Sequence, residues 1–254
     1  SNGTTVTVSE IELVNINPTL ACQVTDSLAL GVGVDYYVSS ITNRYLQVYP
    51  VPPSPFEAEV DADMNGEGLG YNLGLQWQVV PTVAVGLSYR SQVQVSYEGT
   101  TEFERFPLNG FRPLRADSSV DIDFPAMVSA GVSWQSTPKL RLELAVEWDQ
   151  WSTRDHKTGE IDGVPGVLTP QTVPLISDWE DSWIFMLGGE YELNSEWTLR
   201  AGYGYNESPV PDDTADPSVA PGDTHALSLG AGWHITDALT IDAATILSYS
   251  EERR

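Results

Sequence analysis

Apolar and polar residues alternate strictly along the stretch from Gly68 to Tyr97. From Leu69 to Val79 every second residue is bulky and apolar, and the residues between them are glycine, asparagine or glutamine. The alternation breaks at Pro81-Thr82 and resumes at Val83. A period of two over about ten residues, a tight turn and a second such run together predict a long β-hairpin with one bulky face.

The same alternation recurs along the chain and predicts ten antiparallel strands. Short turns are expected near residues 26, 81, 137, 195 and 237. Long polar loops are expected over about 46–66, 99–117, 155–178 and 206–223. Pro18 lies inside the first strand and predicts a kink or bulge, because proline cannot donate to a ladder. The fold class is therefore all-β, in a single domain over residues 1–254.

Two architectures fit hairpins with one bulky face: a soluble β-sandwich and a transmembrane β-barrel. Tryptophans lie near the short turns on the bulky face, and aromatic residues recur about nine residues further along. At ~3.3 Å per residue and a tilt near 45°, this separation is on the order of 25 Å, the height of an apolar band between two aromatic girdles.

Charged residues inside the strands, such as Arg90, Glu143 and Arg200, fall on the other face. A dry core would make them unfavourable, whereas a wet lumen holds them easily. Short turns at one rim and long loops at the other are typical of outer-membrane barrels. The sequence thus predicts an antiparallel transmembrane β-barrel with lipid or detergent against its bulky face.

Composition excludes several classes of function. Twelve Lys and Arg against 36 Asp and Glu give a formal net charge of −24, which argues against a nucleic-acid partner. The single cysteine, Cys22, cannot form an internal disulfide, and no run of about 18 apolar residues predicts a transmembrane helix. The three histidines lie on separate predicted hairpins. No cofactor, metal site or catalytic constellation is expected, and an enzyme is the least favoured class.

Several segments resemble the FadL/TodX family of outer-membrane transporters for long-chain fatty acids and aromatic hydrocarbons. They are GYNLGLQWQ, GLSYRSQVQVSYEG, DFPAMVSAGVSW, VEWDQWS, WEDSWIFMLGGEYELNSEWTLRAGYGYNESPVPD and HALSLGAGWHITDALTIDAA. The combination of SYRS, a Trp-Ser after the sixth strand and RAGYGYNESPVP is more specific than a generic β pattern. The resemblance implies passive transport of long-chain fatty acids or other hydrophobic compounds across the bacterial outer membrane. A general porin, or a surface receptor or adhesin on the same scaffold, stays open as the alternative.

The family's barrel has about 14 strands, and the segments match its fourth through thirteenth. The N-terminal hatch, the first three strands and the last strand are therefore expected to lie outside this sequence. The turn pattern leads to a similar expectation, because both ends of the predicted ten-strand meander lie on the long-loop side. Outer-membrane barrels normally begin and end on the short-turn side, so an odd number of strands is expected to be missing at each end.

An amphipathic ligand needs a cation for its carboxylate and an apolar wall for its tail. Arg44 ends the second predicted strand, and Lys157 begins the loop after the sixth. The resemblance places both near the family's ligand-binding basic residues, and Arg90 matches the SYRS motif. For each of these three residues the alternative is a lumenal salt bridge to an interior carboxylate such as Glu143.

The segment from Asp61 to Gly66 opens like a calcium loop of the EF-hand type. Its twelfth position is Asn72 rather than glutamate, and Asn72 belongs to a predicted strand. A solvated acidic loop is therefore favoured over a calcium site.

Overall fold

The computed structural model describes residues 5–49, 56–106, 112–154, 157–162, 171–175, 178–211, 222–236 and 238–252. These residues form one antiparallel sheet of fifteen strands. The strands are β1 (Thr5–Ile16), β2 (Thr19–Thr25), β3 (Leu28–Tyr49), β4 (Phe56–Val80), β5 (Val83–Arg90), β6 (Val93–Phe106), β7 (Arg112–Phe124), β8 (Met127–Thr137), β9 (Leu140–Asp149), β10 (Lys157–Asp162), β11 (Gln171–Leu175), β12 (Ser182–Glu192), β13 (Trp197–Asn206), β14 (Thr224–Thr236) and β15 (Leu239–Ser250).

The fifteen strands lie in ten successive rows, because five rows are each interrupted once. β1 and β2 both pair with β3, and β5 and β6 both pair with β4. The next rows are β7 with β8, β9 with β10 and β11 with β12, followed by β13, β14 and β15. Each row pairs with its neighbour in sequence, so the chain is an up-and-down meander. The first interruption falls at Pro18, which confirms the predicted kink.

The part of the sheet near the short turns is apolar on its outer face. Leu73, Trp134 and Leu199 expose 47, 49 and 42% of their surface there. Arg90 and Glu143 belong to the alternating set of residues on the opposite, inner face. This arrangement confirms the predicted two-faced barrel wall and contradicts a sandwich core. The described residues contain no helix that is long and apolar enough to cross a bilayer.

Three of the predicted loops contain paired strands. β3 continues to Tyr49 and β4 begins at Phe56, so most of 46–66 is paired strand. β6 and β7 likewise pair through most of 99–117. These segments are polar only on alternate positions, which allows strands whose charged face meets water. The predicted loop over 155–178 also contains two strands, β10 and β11. Of the loop predicted over 206–223, residues 212–221 lie outside the described residues.

Interruptions in neighbouring rows lie side by side, along what we call the break line. Ser91-Gln92 separates β5 from β6, and Pro125-Ala126 separates β7 from β8 in the adjacent row. Gln150, the residue after β9, donates its backbone N–H to the carbonyl oxygen of Ala126 at 2.9 Å. The break line divides the sheet into two parts. The outer sheet comprises β1, β6, β7, β10, β11, β3 from Tyr37 and β4 as far as Gly68, and we call the remainder the wall.

The outer sheet has an apolar core on its inner face. One cluster of buried side chains is formed by Tyr37, Ile41, Val93, Val95, Tyr97 and Val120, and a second by Val60, Phe103, Leu114 and Ala116. Close approach of β6 to β4 depends on glycine, because a Cβ on Gly68 would lie 2.7 Å from the carbonyl oxygen of Gln94. The Tyr97 hydroxyl donates to Ser39 Oγ at 2.8 Å and fixes β6 against β3.

Candidate functional site

Asp35 is a fully buried carboxylate at the outer end of the wall. It accepts hydrogen bonds from Asn15 Nδ2 at 2.7 Å and Asn72 Nδ2 at 2.8 Å, and a longer one from Asn17 Nδ2 at 3.2 Å. Arg90 Nε lies 3.5 Å from Asp35 Oδ1. Side chains from three neighbouring rows therefore converge on this one carboxylate and satisfy its charge without water.

Arg90 also borders an open recess of about 270 Å³ on the inner face of the wall. Its side chain is 39% exposed, although its partner Asp35 has no exposed surface. The polar and apolar groups that line the recess include Thr19, Met127, Ser129 and Glu147. One oxygen of Glu147 is occupied by the Ser129 hydroxyl. The guanidinium thus lies between a dry carboxylate and a wet recess, where it can accept a second anion.

The other two predicted site residues lie elsewhere. Arg44 is on the solvent face of the outer sheet, where its Nε donates to Asp61 Oδ2 at 2.9 Å and this hydrogen bond raises the pKa of Arg44. Arg44 and Arg90 are therefore on opposite faces of the sheet. Lys157 is the first residue of β10 and pairs with Leu175. The side chain of Lys157 lies outside the described residues.

The predicted calcium-like segment is regular strand. Asp61 and Asp63 both lie in β4, where Asp61 pairs with Arg44 and Asp63 accepts a hydrogen bond from Thr42 Oγ1 at 2.8 Å. A strand does not curl its carboxylates around one point as an EF-hand loop does. Within the described ranges no three His, Cys, Asp or Glu side chains are grouped so that they could hold a metal ion.

The inner face near the short turns carries a ladder of ion pairs. Arg141 Nη2 lies 3.2 Å from Glu190 Oε1, and Arg200 Nε lies 2.6 Å from Glu190 Oε2. Arg200 Nη1 also lies 2.7 Å from Asp242 Oδ1. These cations are satisfied by neighbouring carboxylates across four rows, as the salt-bridge alternative expects. Arg90 is exposed to a similar extent, at 39% against 44% for Arg141 and 42% for Arg200. Its carboxylate lies further away, at 3.5 Å against 3.2 Å or less, so Arg90 is the least tightly paired of these three cations.

A cation that the sequence analysis missed lies in the 3-10 turn Trp151–Arg154, beyond the break line. The Arg154 guanidinium carbon is 4.3 Å from the centroid of a Trp179 ring, and Trp151 packs edge-on against Trp179 at 5.0 Å. Burial lowers the pKa of Arg154. The only sequence signal was a tryptophan three residues before an arginine, since Trp179 comes from a distant part of the chain.

A meander of paired rows with an apolar outer face, a polar inner face and exposed tryptophans near its short turns is the wall of a transmembrane β-barrel of the outer-membrane type. The family described as outer membrane protein transport protein (OMPP1/FadL/TodX) matches residues 2–253. The chain belongs to this family, whose members are proteins of the bacterial outer membrane.

Individual relatives are distant in sequence. The chain is 22% identical over 274 residues to a long-chain fatty acid transport protein of Escherichia coli O6:H1, covering 96% of this chain and 60% of the relative. It is 25% identical over 218 residues to a putative outer membrane protein of Neisseria meningitidis serogroup B, covering 76% of this chain and 47% of the relative. The chain therefore spans roughly half to 60% of the length of these relatives.

Solved structures share the fold. The crystal structure of a Pseudomonas aeruginosa FadL homologue superposes with a TM-score of 0.85 at 23% identity, over 96% of this chain and 61% of that chain. The Ralstonia pickettii toluene transporter TbuX gives a TM-score of 0.74 at 22% identity, over 94% of this chain and 66% of that chain. These likenesses agree with the barrel wall described above.

Proposed function

We propose that the protein carrying this chain provides a passive route across the outer membrane for long-chain fatty acids or other hydrophobic compounds. Membership of the OMPP1/FadL/TodX family supports this proposal. So do the names of relatives, which include long-chain fatty acid transport proteins and a monoaromatic hydrocarbon channel. The proposed work is capture and passage, with no covalent chemistry.

The observation that carries the proposal is the recess beside Arg90. Its guanidinium is partly exposed and offers an anionic head group a charge-assisted hydrogen bond. Met127 adds a flexible apolar surface at the same place, which suits ligands of different shape. An amphipathic acid can therefore meet both of its needs within one recess of about 270 Å³.

The test compares Arg90→Gln with Arg141→Gln, a second inner-face cation that is already paired with Glu190. Loss of the Arg90 head-group contact is expected to weaken oleate binding and slow its uptake roughly tenfold, whereas Arg141→Gln changes both less than about twofold. Oleate titration of the purified protein and uptake into vesicles are the measurements. Equal behaviour of the two variants would contradict a role for Arg90.

Planar-bilayer recordings separate this function from a general porin. A route for hydrophobic compounds is expected to pass little current carried by small hydrophilic ions, and a large steady conductance would favour the porin.

Ligand contacts of Arg44 and Lys157 stay predictions. Arg44→Gln and Lys157→Gln are expected to weaken oleate binding, and unchanged affinity in both would rule these contacts out.

A further inference from the structure

Arg154 differs from the other arginines of the chain that have been described above. Arg44, Arg90, Arg141 and Arg200 each lie close to a carboxylate. Pairing is the expected state of an arginine in a chain with three acidic residues for every basic one. Arg154 nevertheless has no carboxylate within ion-pair distance among the residues described, and its close neighbour is the Trp179 ring.

Arg154 is half-buried, and even partial burial away from a carboxylate is unfavourable for a guanidinium. Removal of water lowers the pKa of Arg154, but an arginine starts so high that it keeps its proton at neutral pH. The charge is therefore retained in partly dry surroundings, where the Trp179 ring and, more weakly, Tyr97 favour it among the residues described. An incoming anion would offset this penalty, because it would pair with a cation that has already lost part of its water.

The turn that carries Arg154 is braced on both sides. The backbone N–H of Ser152 donates to Asp181 Oδ1 at 3.1 Å, and the backbone N–H of Gln150, just before the turn, donates to the carbonyl oxygen of Ala126 at 2.9 Å. Thr153 bonds back to the carbonyl oxygen of Gln150 through its hydroxyl at 3.0 Å. The guanidinium is thus held against Trp179 by a fixed backbone, and binding an anion does not require the turn to be ordered first.

We propose that Arg154, stacked on Trp179 and flanked by Trp151, binds the carboxylate head group of an amphipathic ligand at the outer end of the molecule. One face of the guanidinium lies on the indole, which leaves its N–H edge to donate to a planar carboxylate. The turn contacts β7, whose inner side chains belong to the apolar core of the outer sheet. The proposal rests on the proposed function for the kind of ligand, and it places a capture site before the Arg90 recess.

The experiment uses the protein purified from outer membranes in a non-ionic detergent, with octanoate as the charged probe and 1-octanol as the uncharged probe. Arg154→Gln is expected to weaken octanoate binding roughly tenfold, because a charge-assisted contact is lost, and to change octanol binding less than about twofold. Arg115→Gln is the matched control, since Arg115 is an exposed arginine on the solvent face of β7 whose Nη2 donates to Thr100. It should leave both affinities unchanged.

An unchanged octanoate affinity in Arg154→Gln, or an equal loss for octanoate and octanol, would overturn the proposal. Arg154→Lys gives a second test if the glutamine variant folds poorly. Lysine keeps the positive charge but lacks the planar guanidinium that can donate two parallel hydrogen bonds to a carboxylate. Arg154→Lys should therefore weaken octanoate binding less than Arg154→Gln does. In addition, 2-bromooctanoate carries its quencher beside the carboxylate and is expected to quench tryptophan fluorescence in the unmodified protein. Quenching that is as strong in Trp179→Phe as in the unmodified protein would also count against the site.

Uptake measured alongside separates the two proposals. If the unmodified protein takes up oleate while Arg154→Gln binds octanoate normally, the Arg154 site fails and the transport function stands. If the unmodified protein takes up no oleate but binds octanoate in an Arg154-dependent way, the transport function fails and the site stands.

Discussion

Strand β3 belongs to both the wall and the outer sheet, and its two faces exchange polarity between them. In the wall its outer face carries Leu30, Val32 and Val34, which are exposed, while its inner face carries small residues and Asp35. In the outer sheet its inner face carries the buried Tyr37 and Ile41, and its solvent face is polar from Ser40 to Arg44. The backbone is the same antiparallel strand throughout.

The difference shows that the surroundings, and not the strand, set the polarity of each face. Lipid requires bulky apolar side chains on the outside of the wall, and water inside the lumen accepts charge. Above the membrane, water is outside, and the outer sheet must bury its apolar side chains on the inside. A single pattern of alternation therefore produces an inside-out wall and a conventional half-buried sheet.

The largest expected effect comes from placing a charge on the outer face of each part. Leu144 lies at the middle of β9 with 56% of its surface exposed. Leu144→Arg is expected to destabilise the protein in vesicles, lowering its free energy of unfolding by about 2–4 kcal/mol. Asn65→Arg, on the exposed face of β4 in the outer sheet, should stay within about 0.5 kcal/mol. Urea unfolding in lipid vesicles measures both, and similar losses would contradict the assignment of the two parts to lipid and water.

A smaller effect is expected at the junction of the two parts. Asp35→Ala leaves the donors of Asn15, Asn17 and Asn72 without their acceptor and should lower stability by about 2–3 kcal/mol. The loss stays below that of a fully buried ion pair, because Arg90 is partly exposed and can turn to water. Asp121→Ala, on the exposed face of β7, is the control and should change stability by less than about 0.5 kcal/mol. Equal unfolding midpoints would mean that the Asp35 cluster contributes little.

The smallest effect concerns two glycines on the inner face of β4. Gly68→Ala forces β6 away from β4 and should lower stability by about 1–2 kcal/mol, because the added methyl meets backbone and valine atoms within 3 Å. Gly74 lies in the wall, where an added Cβ would have no atom within 4 Å. Gly74→Ala should therefore be neutral or slightly stabilising in the same unfolding experiment. A tolerated Gly68→Ala would show that the packing of the outer sheet is looser than described.

Sequence patterning predicted the wall well. β9 and β13 begin just after the short turns predicted near residues 137 and 195, and the bulky residues lie on the face expected to meet lipid. Each of these strands shows strict alternation between a bulky residue and a small or charged one, and neighbouring strands repeat it. Local pattern is sufficient there because every wall strand meets the same two environments.

The outer sheet and the Arg154 site could not be predicted by the same reasoning. Val60, Ala62 and Met64 do alternate with Asp61 and Asp63, but the many acidic and proline residues nearby suggested loops. Their pairing depends on contacts with β3 and β6, which are set by the fold. The environment of Arg154 likewise depends on Trp179, whose position follows from strand pairing and from no local spacing.

The pairing register between β4 and its neighbouring row also changes by one residue at the break line. Asn72 pairs with Arg90, whereas Glu67, five residues earlier, pairs with Ser96, six residues later, so the break takes up one extra residue between β5 and β6. A slip of one residue would otherwise turn every following side chain to the wrong face. Insertions and deletions in the upper hairpins can therefore be absorbed before they reach the lipid-facing strands, which leaves the surface-exposed end free to diversify on a constant membrane anchor.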